Sequence, residues 1–157
     1  MTVSVLFVCL GNICRSPTAE AVFRERVIAA GLEEKIRIDS AGTGDWHIGR
    51  APDPRTREAA ARRGYQMDSL RARQVGPQDF YEFDVVLAMD NANLEDLQAM
   101  QPADVTVTLG RFLDYASGAS VSEVPDPYYG GEDGFDRVLD LIEGGADGLL
   151  DALRERL

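Results

Sequence analysis

The stretch that most narrows the fold is residues 3–17, VSVLFVCLGNICRSP. Val3 to Val8 is almost continuously apolar and rich in β-branched side chains, the pattern of a strand covered on both faces. A short polar loop follows. Ser16 then offers a helix N-cap and Pro17 fits the first helical position. Ala19, Val22, Phe23, Val27 and Ala30 recur at helical spacing, and Gly31 ends the run. A buried strand that passes through a loop directly into a helix places that loop at the carboxyl edge of a sheet, where α/β proteins bind ligands.

The rest of the chain continues the alternation. Residues 36–40 read as a short strand and 41–53 as a Gly- and Pro-rich loop. A second helix runs from Asp53-Pro54 to about Arg63, closed by Gly64. Gly76-Pro77 breaks the chain before a helical turn ending near Glu82. Asp84–Met89 is another buried strand, Asp90 caps a helix through about Met100, and Val105–Leu109 is the fourth strand. A loop covers Gly110 to about Asp133. Phe135, Val138, Leu139, Ile142, Ala146, Leu149, Leu153 and Leu157 keep steps of three or four, which favours one long helix through Gly144-Gly145. Each of those glycines weakens it by about 1 kcal/mol, and a local break is the alternative. The expected fold is a single-domain α/β three-layer sandwich over residues 1–157, with a four-stranded parallel sheet and helices on both faces.

Charge sorts the partners. The net charge is −11, distributed as +3 over residues 1–75 and −14 over residues 76–157. An acidic half of that size argues against nucleic acid as the main partner. The mildly basic half holds the cysteine loop and suits an anionic ligand. No apolar run approaches the length of a membrane span, and the first residues lack the features of an export signal. The two cysteines are too few for a disulfide scaffold. A cytoplasmic protein is therefore expected.

Both cysteines lie in the first loop, as Cys9-x5-Arg15-Ser16. Taken alone that spacing is a weak signal, because arginine is abundant here. Its position sharpens it. A loop feeding a helix N-terminus aims unpaired N–H groups at one point and makes an anion nest. Gly11 permits backbone conformations closed to other residues. Asn12 can bond across the loop and tolerates a left-handed conformation. Arg15 offers a planar fork for two phosphate oxygens. Cys9, at the bottom, would have its thiolate favoured by the helix dipole, the N–H groups and Arg15. A thiolate beneath a bound phosphate predicts phosphoryl transfer through a phosphocysteine, with Ser16 steadying the departing sulfur. The plain alternative is a core cysteine closing a strand and an arginine in a surface ion pair. A leaving alkoxide or phenoxide also needs a proton. Asp126, stiffened by Pro127 and followed by Tyr128 and Tyr129, is the candidate donor, although DPYYGG on its own is just a turn.

Taken together, these residues resemble the low-molecular-weight protein tyrosine phosphatases. Residues 5–20, VLFVCLGNICRSPTAE, look like that family's phosphate-binding loop. Residues 39–55 resemble its variable substrate-facing loop, 72–90 its middle segment, and 125–131, PDPYYGG, its general-acid loop. The resemblance implies Cys9 as nucleophile, Arg15 as phosphate and transition-state clamp, and Asp126 as proton donor and then base. It implies that Asn12 and Ser16 organise the loop, whose Leu10, Gly11, Ile13 and Cys14 complete the phosphate site. Trp46, Tyr128 and Tyr129 would wall the cleft. The implied partner is a phosphotyrosine-bearing protein or a small aryl phosphate, with no metal or cofactor. The implied assembly is a monomer or weak dimer. Cys14 matches a second loop cysteine found in many family members, and the resemblance implies a disulfide with Cys9 on oxidation that protects the thiolate; simple space-filling is the other reading.

Two departures stand out. Many relatives have a histidine, which helps tether the loop, where this chain has Leu70; Ser40 is left to contribute. The sole histidine, His47, replaces a common asparagine and is expected to be a rim or plain loop residue. Thioredoxin-coupled arsenate reductases resemble this fold but need cysteines beyond Cys14. Protein-arginine phosphatases tend to carry Thr where this chain has the apolar Ile13.

Overall fold

In the computed structural model, which describes residues 2–128, 131 and 133–157, the first apolar run forms β1 (Val3–Cys9) at the centre of the sheet. Helix α1 (Arg15–Ala29) follows, then β2 (Ile36–Gly42), α2 (Pro54–Ala61), the short α3 (Asp79–Glu82), β3 (Val85–Ala88), α4 (Asn91–Met100), β4 (Thr108–Arg111), a 3-10 turn at Phe112–Tyr115, and α5 (Asp133–Arg154). The four strands are parallel in the order β2-β1-β3-β4.

β1 explains the three layers. Val5, Phe7 and Cys9 face one side and pack into a core shared with α1, α2 and α5. Leu6 and Val8 face the other and pack with Phe80, Phe83 and Leu97 from the α3 and α4 side. A strand buried on both faces cannot alternate polar and apolar, which is why the run is continuous. Phe7 anchors the larger core, meeting Phe23 and Phe112 edge to face at centroid distances of 5.7 and 5.3 Å. Among the described residues no helix is long and apolar enough to cross a membrane.

Several boundaries differ from the sequence reading, each for a visible reason. α1 starts at Arg15 with Cys14 at the N-cap, so Ser16 and Pro17 lie inside the first turn. Ser16 does not cap because its hydroxyl is engaged by the phosphate loop. Pro17 is tolerated there because first-turn N–H groups have no intrahelical acceptor. β2 runs two residues further than expected, since Ala41 and Gly42 pair with Val8 and Cys9. β4 lies about three residues later than expected. Val105 and Val107 pack on the second core without pairing, and the ladder opens where Thr108 meets Val85. The long loop hides the 3-10 turn that delivers Phe112 to the core.

α5 is one continuous helix through Gly144-Gly145, as the periodicity favoured. Two of its glycines have a packing reason. A Cβ on Gly145 would come within 2.7 Å of the Phe112 ring, and one on Gly148 would overlap the Tyr115 carbonyl oxygen. The 3-10 turn thus lies directly against the helix backbone. Gly144 faces open space. Gly144→Ala should stabilise by about 0.5–1 kcal/mol through helix propensity alone. Gly148→Ala should destabilise by about 1–3 kcal/mol through overpacking against a backbone that has to move. Thermal melts of the two variants should therefore shift in opposite directions.

Candidate active site

The phosphate-loop candidates converge where β1 ends and α1 begins, at one side of a cleft of about 480 Å3. Cys9, Leu10, Gly11, Ile13, Cys14 and Arg15 line it from the loop. Trp46 and His47 line it from the loop after β2, and Asp126 and Tyr128 from the loop before α5. Asn12 and Ser16 are buried beneath the loop rather than facing the cleft. Tyr129 lies outside the described residues.

The loop's backbone is held from outside. The carbonyls of Cys9, Leu10 and Ile13 accept from the N–H groups of Thr43, Gly44 and Asp53, each at 2.9 Å. Carbonyls drawn outward turn the peptide dipoles so that N–H groups face the centre of the curl. Asn12 takes the left-handed bend at φ 57°, one of the few non-glycine residues that tolerates it. Gly11, expected to supply unusual backbone angles, does not. Its missing side chain instead admits the His47 ring, which a Cβ would approach to 2.9 Å. Gly42 does the same for the loop itself: a Cβ there would lie 2.7 Å from the Leu10 carbonyl oxygen.

Asn12 is the hub. Its Nδ2 donates to Ser16 Oγ (2.8 Å) and Ser40 Oγ (3.0 Å), its Oδ1 accepts from the Arg73 N–H (3.0 Å), and its own N–H points at Cys9 Sγ (3.3 Å). Ser40 Oγ donates on to Glu20 Oε1 at 2.7 Å. Ser16 Oγ lies 3.0 Å from Cys9 Sγ. Ser16 Oγ accepts from Asn12, and its own hydrogen has two acceptors in reach, Cys9 Sγ and the Ala41 carbonyl oxygen at 3.3 Å. The tether lost with Leu70, which packs against the apolar core, is thus supplied by Ser40 and by the Arg73 backbone.

Arg15 is nearly fully buried. Its Nη1 donates to Asp90 Oδ2 (2.6 Å) and the Val124 carbonyl (3.1 Å), and Nη2 lies 3.6 Å from Asp126 Oδ2. Burial opposes its charge, but Cys9, Asp90 and Asp126 outweigh that and hold its pKa above the ordinary value. Nη1 is thus committed to protein acceptors, while Arg15 itself lines the cleft. Asp90 caps α4, as its position suggested, by accepting from Asn93 N–H through Oδ1. Its second oxygen aims Arg15, a role sequence reasoning missed. The available signal was its place at the carboxyl end of a central strand. Glu20 and Asp53 were also missed as site supports.

His47 sits on the rim, its ring centroid 6.3 Å from that of Tyr128. Trp46 is 65% exposed and stacks over Gly44, where a Cβ would overlap the indole. Cys9 and Cys14 are both free and buried. Burial, reinforced by nearby negative charge, pushes the Cys14 thiol up to about 12 against the lowering effect of Thr56.

A buried thiol, a guanidinium and a carboxylate thus meet on one cleft at the head of α1. The sequence-family model for low molecular weight phosphotyrosine protein phosphatase matches residues 4–157. The low molecular weight protein-tyrosine-phosphatase YfkJ of Bacillus subtilis is 47% identical over 98% of this chain and 97% of its own length. A low molecular weight protein-tyrosine-phosphatase of Streptomyces coelicolor is 48% identical, covering 100% and 97%. Among solved structures, a protein tyrosine phosphatase from Entamoeba histolytica with Hepes in the active site superposes with TM-score 0.94 at 44% identity, covering 98% of each chain. The chain belongs to the low molecular weight phosphotyrosine protein phosphatase family.

Two outcomes follow from the site's electrostatics. With its pKa near 12, Cys14 stays a thiol at neutral pH. Iodoacetamide at pH 7 should leave it unlabelled in the folded protein, read by peptide mass spectrometry; labelling as fast as in urea would contradict this. Burial also raises the Glu20 carboxyl above its ordinary 4.5, against the lowering effects of Ser40 and Arg24. The stability this group contributes is full below about pH 4.5 and is lost as pH rises through the raised folded value. Relative to Glu20→Gln, the wild type should therefore weaken as pH goes from 4 to 7. A constant offset in urea unfolding across that range would refute it.

Proposed function

We propose that the chain hydrolyses phosphotyrosine and aryl phosphates through a phosphocysteine formed on Cys9. The carrying observation is Cys9 Sγ at the focus of the loop, 3.3 Å from the Asn12 N–H and 3.0 Å from the Ser16 hydroxyl, with Arg15 and Asp126 on the same cleft.

The loop N–H groups, the α1 N-terminus and Arg15 receive the phosphate dianion. The Cys9 thiolate attacks phosphorus opposite the aryl oxygen. The S–P bond forms as the P–O bond breaks, and protonated Asp126 gives its proton to the departing phenolate. Asp126, now a carboxylate, takes a proton from water attacking the phosphocysteine. The S–P bond breaks, its electron pair returns to sulfur, and the Ser16 hydroxyl stabilises that thiolate. Inorganic phosphate leaves. Charge on the transferring group is carried throughout by Arg15 and backbone dipoles, which makes this a scheme without metal or cofactor.

The cleft favours an aromatic ester. Leu10, Ile13, Trp46 and Tyr128 give it apolar walls, and a nucleophile on its floor is reached by a long flat side chain more readily than by a short one. Ile13 offers no hydrogen bond to a phosphoguanidinium, which supports phosphotyrosine over phosphoarginine.

Turnover of p-nitrophenyl phosphate near pH 5–6 in EDTA should persist in the wild type and vanish in Cys9→Ser. In Asp126→Ala it should fall by about 10²–10⁴-fold. Full activity of Cys9→Ser, or stronger turnover of phosphoarginine than of phosphotyrosine peptides, would overturn the reading.

A further inference from the structure

One cationic side chain outside the chemistry links the two loops that would carry it. The Asp53 N–H donates to the Ile13 carbonyl of the phosphate loop at 2.9 Å. The Asp53 carboxylate caps α2 through the Arg55 N–H (2.8 Å). It also grips the Arg55 guanidinium with both oxygens, Nε to Oδ1 at 3.1 Å and Nη2 to Oδ2 at 3.0 Å. Arg55 Nη2 then donates to the Tyr128 carbonyl oxygen at 3.1 Å. Its guanidinium carbon lies 5.3 Å from the centroid of the Tyr128 ring and 4.9 Å from that of Phe135. The Tyr128 N–H in turn donates to Asp126 Oδ1 at 3.0 Å. A continuous series of polar contacts thus runs from the nucleophile's loop to the carboxylate of Asp126.

We propose that Arg55 is a positioning residue for the general acid, holding the Asp126 loop at a fixed distance from the phosphate loop. The proposal rests on the assignment of Asp126 as proton donor. Arg15 also reaches Asp126, but a bound phosphate claims that guanidinium, so Arg15 is not the group that aims the acid during turnover. The arm through Tyr128, Arg55 and Asp53 stays intact when phosphate binds. Only a planar fork can hold Asp53 and the Tyr128 carbonyl at once while stacking on two rings; a lysine ammonium cannot. Arg55 is 44% exposed and of the core covers only the outer face of Phe135, a contact that the methionine of Arg55→Met keeps in apolar form. Proton transfer is far more sensitive than folding to a displaced loop, because a misplacement near 1 Å can cost about 10²-fold in rate.

The test uses leaving groups of different acidity. kcat/KM reports the steps through phenol departure, and a poor leaving group needs the proton most. Arg55→Met should lower kcat/KM for phenyl phosphate about tenfold and for p-nitrophenyl phosphate less than about twofold. The dependence on phenol acidity therefore steepens. Asp126→Asn should steepen it further, and adding Arg55→Met to Asp126→Asn should cost nothing more. Arg55→Lys keeps the charge and loses the fork, so it should steepen the dependence in the same way; it gives the readout if Arg55→Met folds poorly. An unchanged slope in these variants, an equal loss on both substrates, or the same loss in the Asp126→Asn background would overturn the positioning role. A wild-type slope in Asp126→Asn alone would instead overturn the assignment of the acid, and this proposal with it.

Discussion

The side-chain amide of Asn12 is the interaction on which the rest of the site depends. It sits at the left-handed bend of the loop and uses both N–H groups and its carbonyl within one buried spot. The two donors go to Ser16 and Ser40, and the acceptor takes the Arg73 N–H. α1, β2 and the chain beyond α2 are thereby fixed to one residue. The consequence for chemistry is directional. Ser16 Oγ accepts from Asn12 and lies 3.0 Å from the Cys9 sulfur, nearer than the Ala41 carbonyl oxygen at 3.3 Å, so the amide aims that hydroxyl at the space beside the thiol. Leaving such buried donors and acceptors unpaired costs about 1–3 kcal/mol each, so the amide stabilises the loop as well as orienting it.

Arg15 adds a second constraint of a different kind. A buried guanidinium is costly unless its charge and donors are matched. Here the match comes from two separate places: Asp90 after β3, and the loop before α5, which supplies the Val124 carbonyl and Asp126. The parallel sheet makes this convergence possible. All four strands end on the same side, so the loops that leave them meet around the head of α1. The fold thus delivers a buried arginine held by protein acceptors at the lip of the cleft.

The sequence conveyed the architecture well where burial was two-sided and periodic. β1, β3, α4 and the unbroken α5 were legible because Val3–Val8, Asp84–Met89 and the α5 stripe admit few other readings. β4 was misplaced because an edge strand of intermediate burial carries no such run; the apolar Val105 and Val107 mark packing and not pairing. The start of α1 was misread because Ser16 has the chemistry of a cap but is diverted to a thiol and an amide. The cleft-facing residues of the first loop were legible from spacing and context. Their supports were not. Asp90, Asp53, Glu20 and the Arg73 backbone act on the site through partners 20 to 75 positions away, and no local pattern encodes such pairs.

Leu70 shows how such supports can be exchanged. A histidine at this position would bring an imidazole to the loop; Leu70 brings an apolar side chain that packs on the core. With that donor absent, the orientation of the Asn12 amide is decided by what remains. Arg73 offers only an N–H, so the amide oxygen faces it and both amide hydrogens are released toward the serines. Ser40 must then accept from Asn12, and its hydrogen passes to Glu20, the one titratable group on that branch. Every link from Glu20 through Ser40 and Asn12 to Ser16 therefore has a defined donor and acceptor without an imidazole among them. The hydroxyls and the amide hold their protonation across neutral pH, so the titration of this branch rests on Glu20, whose carboxyl burial raises above its ordinary value.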